Sequence, residues 1–181
     1  VSNAKPKVAD YPFTTLAPSL GMVRQYGVDM VLADLPGLIE GASEGVGLGH
    51  RFLKHTSRCS VLLHVVDIMD EQPAAERYQI IRHELEAYDK EFSSHCAELP
   101  EVVALNKKDA AQPEDIDEAI TELQKVTDAP VFVMSAHAKD GVNKVLEKLA
   151  EVVQEARKKR EEAKEKPAEN TPEDTAESAA G

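Results

Sequence analysis

The chain has 181 residues, 42% of them hydrophobic, and a formal net charge of −12. That length holds one sizeable core. So acidic a balance argues against a general polyanion-binding surface, and no direct DNA binding is expected. The two cysteines, Cys59 and Cys96, form no close-spaced pair, which points away from a disulfide framework and towards a reducing, cytoplasmic home. No apolar run approaches the roughly 18 residues that span a bilayer. The N-terminal stretch VSNAKPKVADYPF has neither a hydrophobic signal core nor an initial Met, and the chain is expected to start inside a longer protein.

In chain order, MVRQ and VDMVLAD read as two strands joined by a short turn at Tyr26 and Gly27. The glycine-broken loop EGASEGVGLG follows, then HRFLKHTSRC, which is compatible with a helix. SVLLHVVD, residues 60–67, is a near-continuous Val- and Leu-rich run of the kind covered on both faces in a parallel sheet. AERYQIIRHELEAYDKEF places Tyr78, Ile81, Leu85 and Tyr88 at helical spacing. EVVALN is a short buried strand, EDIDEAITELQKV a helix with Ile116, Ile120 and Leu123 on one face, PVFVMSA a strand and VNKVLEKLAEVVQEA a closing helix. Strands alternating with helices predict an α/β fold with a mostly parallel sheet and one antiparallel edge.

From about residue 155 the composition turns charged, then rich in Ala, Glu, Pro and Thr. Residues 1–155 are read as the folded domain and 156–181 as a disordered tail, which cannot bury enough apolar surface to offset its ordering entropy. The closing helix has the composition to continue some way into ARKKREEAKEK.

Three predicted strands end on polar residues: VLAD runs into LPG, VVALN into KKD and VFVM into SAH. In an open parallel sheet the carboxyl ends of the strands face the ligand crevice, so these residues are candidates for one site. In NKKD, residues 106–109, the Asp109 carboxylate can accept both N–H donors of a guanine edge, whereas adenine would leave it unpaired. Asn106 can pin the loop and the Lys107 stem can lie along the ring; the same four residues also make an ordinary solvated turn. Ser135, Ala136 and His137 can supply a backbone N–H to the guanine carbonyl oxygen.

In DLPG, residues 34–37, a strand-end aspartate suits a Mg²⁺ ion held through water, and Gly37 lets a backbone N–H approach a terminal phosphate. FTTLAP, residues 13–18, offers two threonine hydroxyls as direct ligands. The histidines have no metal-like spacing, and His64, inside an apolar run, reads as a satisfied core residue.

In this order the motifs resemble the P-loop GTPase domain of the Obg family over roughly residues 1–155, most specifically through ADLPGLIEGASEGVGLGHRFLKH; the Nog and DRG branches share parts of it. The resemblance implies a three-layer Ras-like fold and Mg-dependent hydrolysis of GTP to GDP, in proteins that assist assembly of the large ribosomal subunit. It assigns Thr15 to Mg²⁺, with Phe13, Thr14, Leu16 and Ala17 beside the nucleotide. Asp34, Leu35, Pro36 and Gly37 become the γ-phosphate switch, with Asp34 on Mg²⁺ through water. Asn106, Lys107, Lys108 and Asp109, with Ser135, Ala136 and His137, become the base pocket.

Leu38 stands where Ras-like enzymes place the water-orienting glutamine, so slow turnover is expected and no catalytic residue is assigned. No G-x-x-x-x-G-K-[ST] string occurs in the chain. By the resemblance that loop and the sheet's first, central strand precede Val1. VDMVLAD and SVLLHVVD would then flank a gap, and the isolated chain would be poorly stable and bind GTP weakly or not at all. The alternative expectation is an interaction module that uses the fold without nucleotide or catalysis.

Overall fold

A computed structural model describes residues 19–34 and 58–165. Five strands and three helices make it up: β1 Ser19–Gln25, β2 Val28–Asp34, β3 Leu62–Asp67, α1 Ala74–Phe92, β4 Glu101–Asn106, α2 Pro113–Val126, β5 Val131–Val133 and α3 Val142–Glu165. β3, β4 and β5 form a parallel sheet with β4 in the centre, and β1 and β2 form a separate antiparallel hairpin. This is the expected α/β arrangement, and among the described strands β2 and β3 are not paired with each other.

The centre of the parallel sheet shows why its sequence is so apolar. Val102, Val103, Ala104 and Leu105 are all fully buried. Successive side chains point to opposite faces. Val103 and Leu105 accordingly pack with Ala74 and Tyr78 of α1 and Ala119 and Leu123 of α2, while Val102 and Ala104 pack with Val145, Leu146 and Leu149 of α3. A strand covered on both faces cannot alternate apolar and polar, hence EVVALN.

The hairpin turns at Tyr26 and Gly27, whose φ angles of 51° and 74° are those of a two-residue primed turn. It buries one face only: Val23, Val28 and Met30 join the α3 core, whereas the register partners Met22 and Val31 are exposed. α3 is thus the element that packs against both the hairpin and the parallel sheet. Arg157 Nη2 adds a 2.7 Å hydrogen bond to the carbonyl of Asp29. Val65, inside the apolar run of β3, is half exposed; β4 covers one edge of β3, and no described strand pairs with the other.

Gly141 sets the start of α3. Its φ is +75°, and an added Cβ would lie 2.4 Å from the Val133 carbonyl oxygen. Only glycine permits so close an approach between β5 and the helix. At its other end α3 runs to Glu165, so the closing helix continues into ARKKREEAKEK, as its composition allowed. These residues have good helix propensity and extend a helix already nucleated by its packed first turns; Lys158 and Glu162 lie 4.0 Å apart along it.

At the amino end of the sheet a polar cluster is buried. Glu101 accepts hydrogen bonds from the Tyr78 hydroxyl at 2.8 Å and pairs with His64 Nδ1 at 3.1 Å, and Arg82 Nη1 lies 3.5 Å away. His64 also stacks on the Tyr78 ring, centroids 4.9 Å apart. His64 is therefore a satisfied core residue, as its position in the run suggested.

Candidate guanine-nucleotide site

The carboxyl ends of β4 and β5 meet through their loops. Leaving β4, the chain places Lys107 in the left-handed region with φ 69°, and the turn closes through an Ala110 N–H to Lys107 carbonyl bond of 3.0 Å. Asn106, the last residue of β4, accepts the Ala136 N–H on its side-chain oxygen at 2.9 Å. The Lys108 N–H donates to the Met134 carbonyl at 3.3 Å. These two bonds fasten the NKKD turn to the segment that follows β5.

That second segment is itself a closed loop. Ser135 is fully buried and exchanges two backbone hydrogen bonds with Asp140, of 2.8 and 3.1 Å. Its hydroxyl accepts the Ala138 N–H at 2.9 Å. The PVFVMSA run is therefore a strand only over Val131–Val133, because after Met134 the backbone pairs within its own loop. Ala136, His137 and Ala138 are left exposed at its tip.

Asp109 is exposed beside this loop. Its pKa is held below the usual aspartate value, first by a hydrogen bond from the Ser135 side chain, then by its own backbone N–H and the nearby His137 and Lys107. The carboxylate is thus ionised at neutral pH and open to an incoming pair of donors. Asn106, Lys107, Lys108, Asp109, Ser135, Ala136 and His137 form one cluster built from two loops.

Two acidic residues join that cluster. Lys107 Nζ lies 2.6 Å from Asp67 Oδ2, at the end of β3, and Lys108 Nζ lies 2.5 Å from Asp140. Burial disfavours the charge on Asp67, but the Lys107 ammonium and the Met69 N–H together outweigh it and lower its pKa. The sequence contained a signal for Asp67: β3, like β2, ends an apolar run on aspartate.

Of the phosphate-side candidates, Asp34 is exposed at the end of β2 on the separate hairpin. It sits opposite Ser19 in the register. Phe13, Thr14, Thr15, Leu16, Ala17, Leu35, Pro36, Gly37 and Leu38 lie outside the described residues, as does most of HRFLKHTSRC.

Comparison with known proteins bears on this arrangement. Residues 1–107 match the model of a family described as 50S ribosome-binding GTPase. The chain is 44% identical over 155 residues to the GTPase Obg of Rickettsia bellii, covering 86% of this chain and 46% of that protein. It therefore spans about half the length of that curated relative.

Among solved structures, the cytosolic domain of L. pneumophila FeoB superposes with a TM-score of 0.58 at 18% identity, over 84% of this chain and 56% of that one. The G domain of the T. maritima FeoB iron transporter gives 0.51 at 20% identity, over 84% and 86%. At those identities the structures speak for the fold, that of a GTPase G domain. The family model and the Obg relative go further: the chain belongs to the Obg family of GTPases.

Proposed function

We propose that the chain forms the guanine-nucleotide-binding core of an Obg-type enzyme that converts GTP to GDP and phosphate. The observation that supports this most is the Asn106–Ala136 bond, which locks the β4 and β5 loops together while leaving the Asp109 carboxylate exposed. A carboxylate fixed in that way accepts the paired N–H donors of guanine and rejects adenine, which has no such pair. Lys107 and Lys108 belong to the same loop, and with the Ala136 N–H taken by Asn106, the backbone N–H of the exposed residue His137 supplies the donor for the base carbonyl. The GTPase family to which the chain belongs favours this over a nucleotide-independent interaction module.

On the phosphate side the reading assigns Phe13, Thr14, Thr15, Leu16, Ala17, Asp34, Leu35, Pro36 and Gly37. Thr15 and Asp34 would hold Mg²⁺, the latter through water. The exposed Asp34 carboxylate is a hard oxygen donor of the kind that ion takes. When bound, the ion neutralises charge on the phosphate oxygens. Leu38 can neither donate nor accept a hydrogen bond, so turnover is slow unless another group orients the water. The large ribosomal subunit as partner, a cytoplasmic location and a domain boundary near residue 155 complete the proposal.

Titration of GDP and ADP into the full chain, followed by amide NMR, tests the reading. The expected result is binding of GDP at least about tenfold tighter than ADP, with shifts at Asn106, Asp109 and Ala136. Equal binding of the two nucleotides, or binding of GDP away from those residues, overturns it in favour of the interaction module.

A further inference from the structure

The two lysines of NKKD are consecutive in sequence yet are held by opposite neighbours. Lys108 pairs with Asp140, in the loop after β5, whereas Lys107 pairs with Asp67, at the end of β3. Lys107 reaches β3 from a left-handed backbone conformation that non-glycine residues rarely adopt. Such a conformation persists where the surroundings over-determine it. Here they do: the Asn106 carbonyl accepts the Ile68 N–H at 3.2 Å, and the Lys107 carbonyl accepts the Ala110 N–H at 3.0 Å.

Asp67 is fixed as well. One carboxylate oxygen takes the Met69 N–H at 2.9 Å, while the other meets the Lys107 ammonium at 2.6 Å. Its side chain is 29% exposed, against 60% for that of Asp140. The Asp67–Lys107 pair is therefore anchored at one end by a backbone turn; Asp140 also has a backbone partner, Gly141, but Asp67 is the less solvated of the two acids. A lysine has a long, freely rotating stem, and a partner that fixes its tip orders the whole stem.

We infer that Asp67 is a positioning residue of the base site: it holds the Lys107 ammonium so that the lysine stem is already extended along the place a guanine ring occupies. The inference rests on the proposed base-binding reading of NKKD and deepens it by adding a residue from outside that loop. Pre-ordering lowers the cost of fixing the side chain when a nucleotide binds. A competing arrangement, in which Asp67 detains an ammonium that the nucleotide needs, has the opposite sign in binding.

The test is a thermodynamic cycle on the full chain with GDP as probe and ADP as control. It compares the unaltered chain, Asp67→Asn, Lys107→Ala and the double variant, with thermal unfolding measured on each. Asp67→Asn is expected to weaken GDP binding about three- to tenfold, with its unfolding midpoint within about 3 °C of the parent. In the Lys107→Ala background the same change adds no further loss. Asp67→Glu, which keeps the charge, restores most of the affinity.

Lysine-ammonium NMR gives a reading independent of nucleotide and of any loss of fold on binding: a Lys107 signal protected from exchange in the parent and in Asp67→Glu, and lost in Asp67→Asn. Undiminished or tighter GDP binding by Asp67→Asn, or an equal loss in the Lys107→Ala background, overturns the inference while GDP-over-ADP preference in the parent preserves the site reading. Absence of that preference in the parent overturns the site reading, and the inference falls with it.

Discussion

At the amino end of the parallel sheet, the Glu101 side chain is 7% exposed and meets His64, Tyr78 and Arg82; at the carboxyl end, Lys107 is 54% exposed and meets Asp67. Both ends carry charge, but the surroundings differ. The Tyr78 hydroxyl has a single proton, given to Glu101, and it lies 2.9 Å from the Thr127 hydroxyl, which in turn accepts the Ala129 N–H. Arg82 also donates to the Ala97 carbonyl at 2.6 Å. The amino-end network therefore ties β3, β4, α1 and the loops after α1 and α2 to one another, with its polar groups paired inside the protein. The carboxyl end is ordered by comparable bonds yet presents Asp109, Ala136 and His137 to solvent. The contrast separates charge used to hold the fold from charge available to a ligand.

The largest effect expected from breaking this contrast lies at the amino end. Glu101→Ala removes the shared acceptor from His64, Tyr78 and Arg82, and loss of one member of a buried ionic network costs about 3–5 kcal/mol. Denaturant unfolding measures it. The change should leave the GDP-over-ADP preference of the chain that remains folded intact, since no bond of the NKKD turn involves Glu101. A variant as stable as the parent would show that the network is incidental to the fold.

Next in size is Asp109→Asn, the reciprocal experiment. Asn presents a donor where one of the guanine N–H groups must be accepted, so the preference for GDP over ADP should fall by about tenfold or more. The residue is exposed, and stability should move by less than about 0.5 kcal/mol. If instead stability falls steeply and selectivity does not change, the two ends have been assigned the wrong way round.

Acid should separate the ends further. Burial works against the Glu101 charge, but the hydrogen bonds from His64 and Tyr78 and the charges of His64 and Arg82 together lower its pKa below the ordinary glutamate value. Asp89 behaves alike: its carboxylate resists a burial penalty by accepting the Ser94 hydroxyl and the Ala97 and Cys96 N–H groups. A carboxylate whose folded pKa is depressed contributes stability that is complete above its unfolded pKa, about 4, and is lost as the pH falls through the folded value. Stability should be flat from about pH 7 to 5 from these groups and then decline, with a shallower decline in Glu101→Gln. Unfolding curves across that range check the sign.

How much of this was legible in the sequence depended on whether the signal was local. EVVALN declared itself as a strand buried on both faces because every one of its central residues is apolar, and the strand spans those six residues. The NKKD string announced a loop worth inspecting, and the helical spacing of Tyr78, Leu85 and Tyr88 marked the buried face of α1. The Asp67–Lys107 pair could not be read in that way: the two residues are 40 apart in sequence, and only the parallel pairing of Asp67 with Asn106 brings them together. Likewise the end of β5 is set not by its own residues but by Ser135 turning to Asp140. For residues 156–165 composition allowed a helix without fixing its length: a charged segment that cannot form a core can still prolong a helix whose packed turns precede it, and α3 does so as far as Glu165.

The smallest effect is expected at Lys108 and Asp140, and it sharpens the comparison most finely because it lies within the exposed end. This pair is as short as Asp67–Lys107, 2.5 against 2.6 Å, so distance alone would rank the two alike. Exposure ranks them differently. The Asp140 side chain is 60% exposed, and the carboxylate is lowered in pKa chiefly by the Lys108 hydrogen bond, which outweighs the opposing desolvation. In such a setting the attraction is screened by water and salt, and the ordering of two side chains offsets much of it. The loop would also stay closed without the ion pair, since Ser135 and Asp140 are joined through their backbones. Asp140→Asn should therefore change stability by less than about 0.5 kcal/mol and weaken GDP binding less than Asp67→Asn does. Any residual effect should vanish when the ionic strength is raised to about 0.5 M. Equal losses from the two aspartates at high salt would mean that separation, and not solvation, decides how these lysines are held.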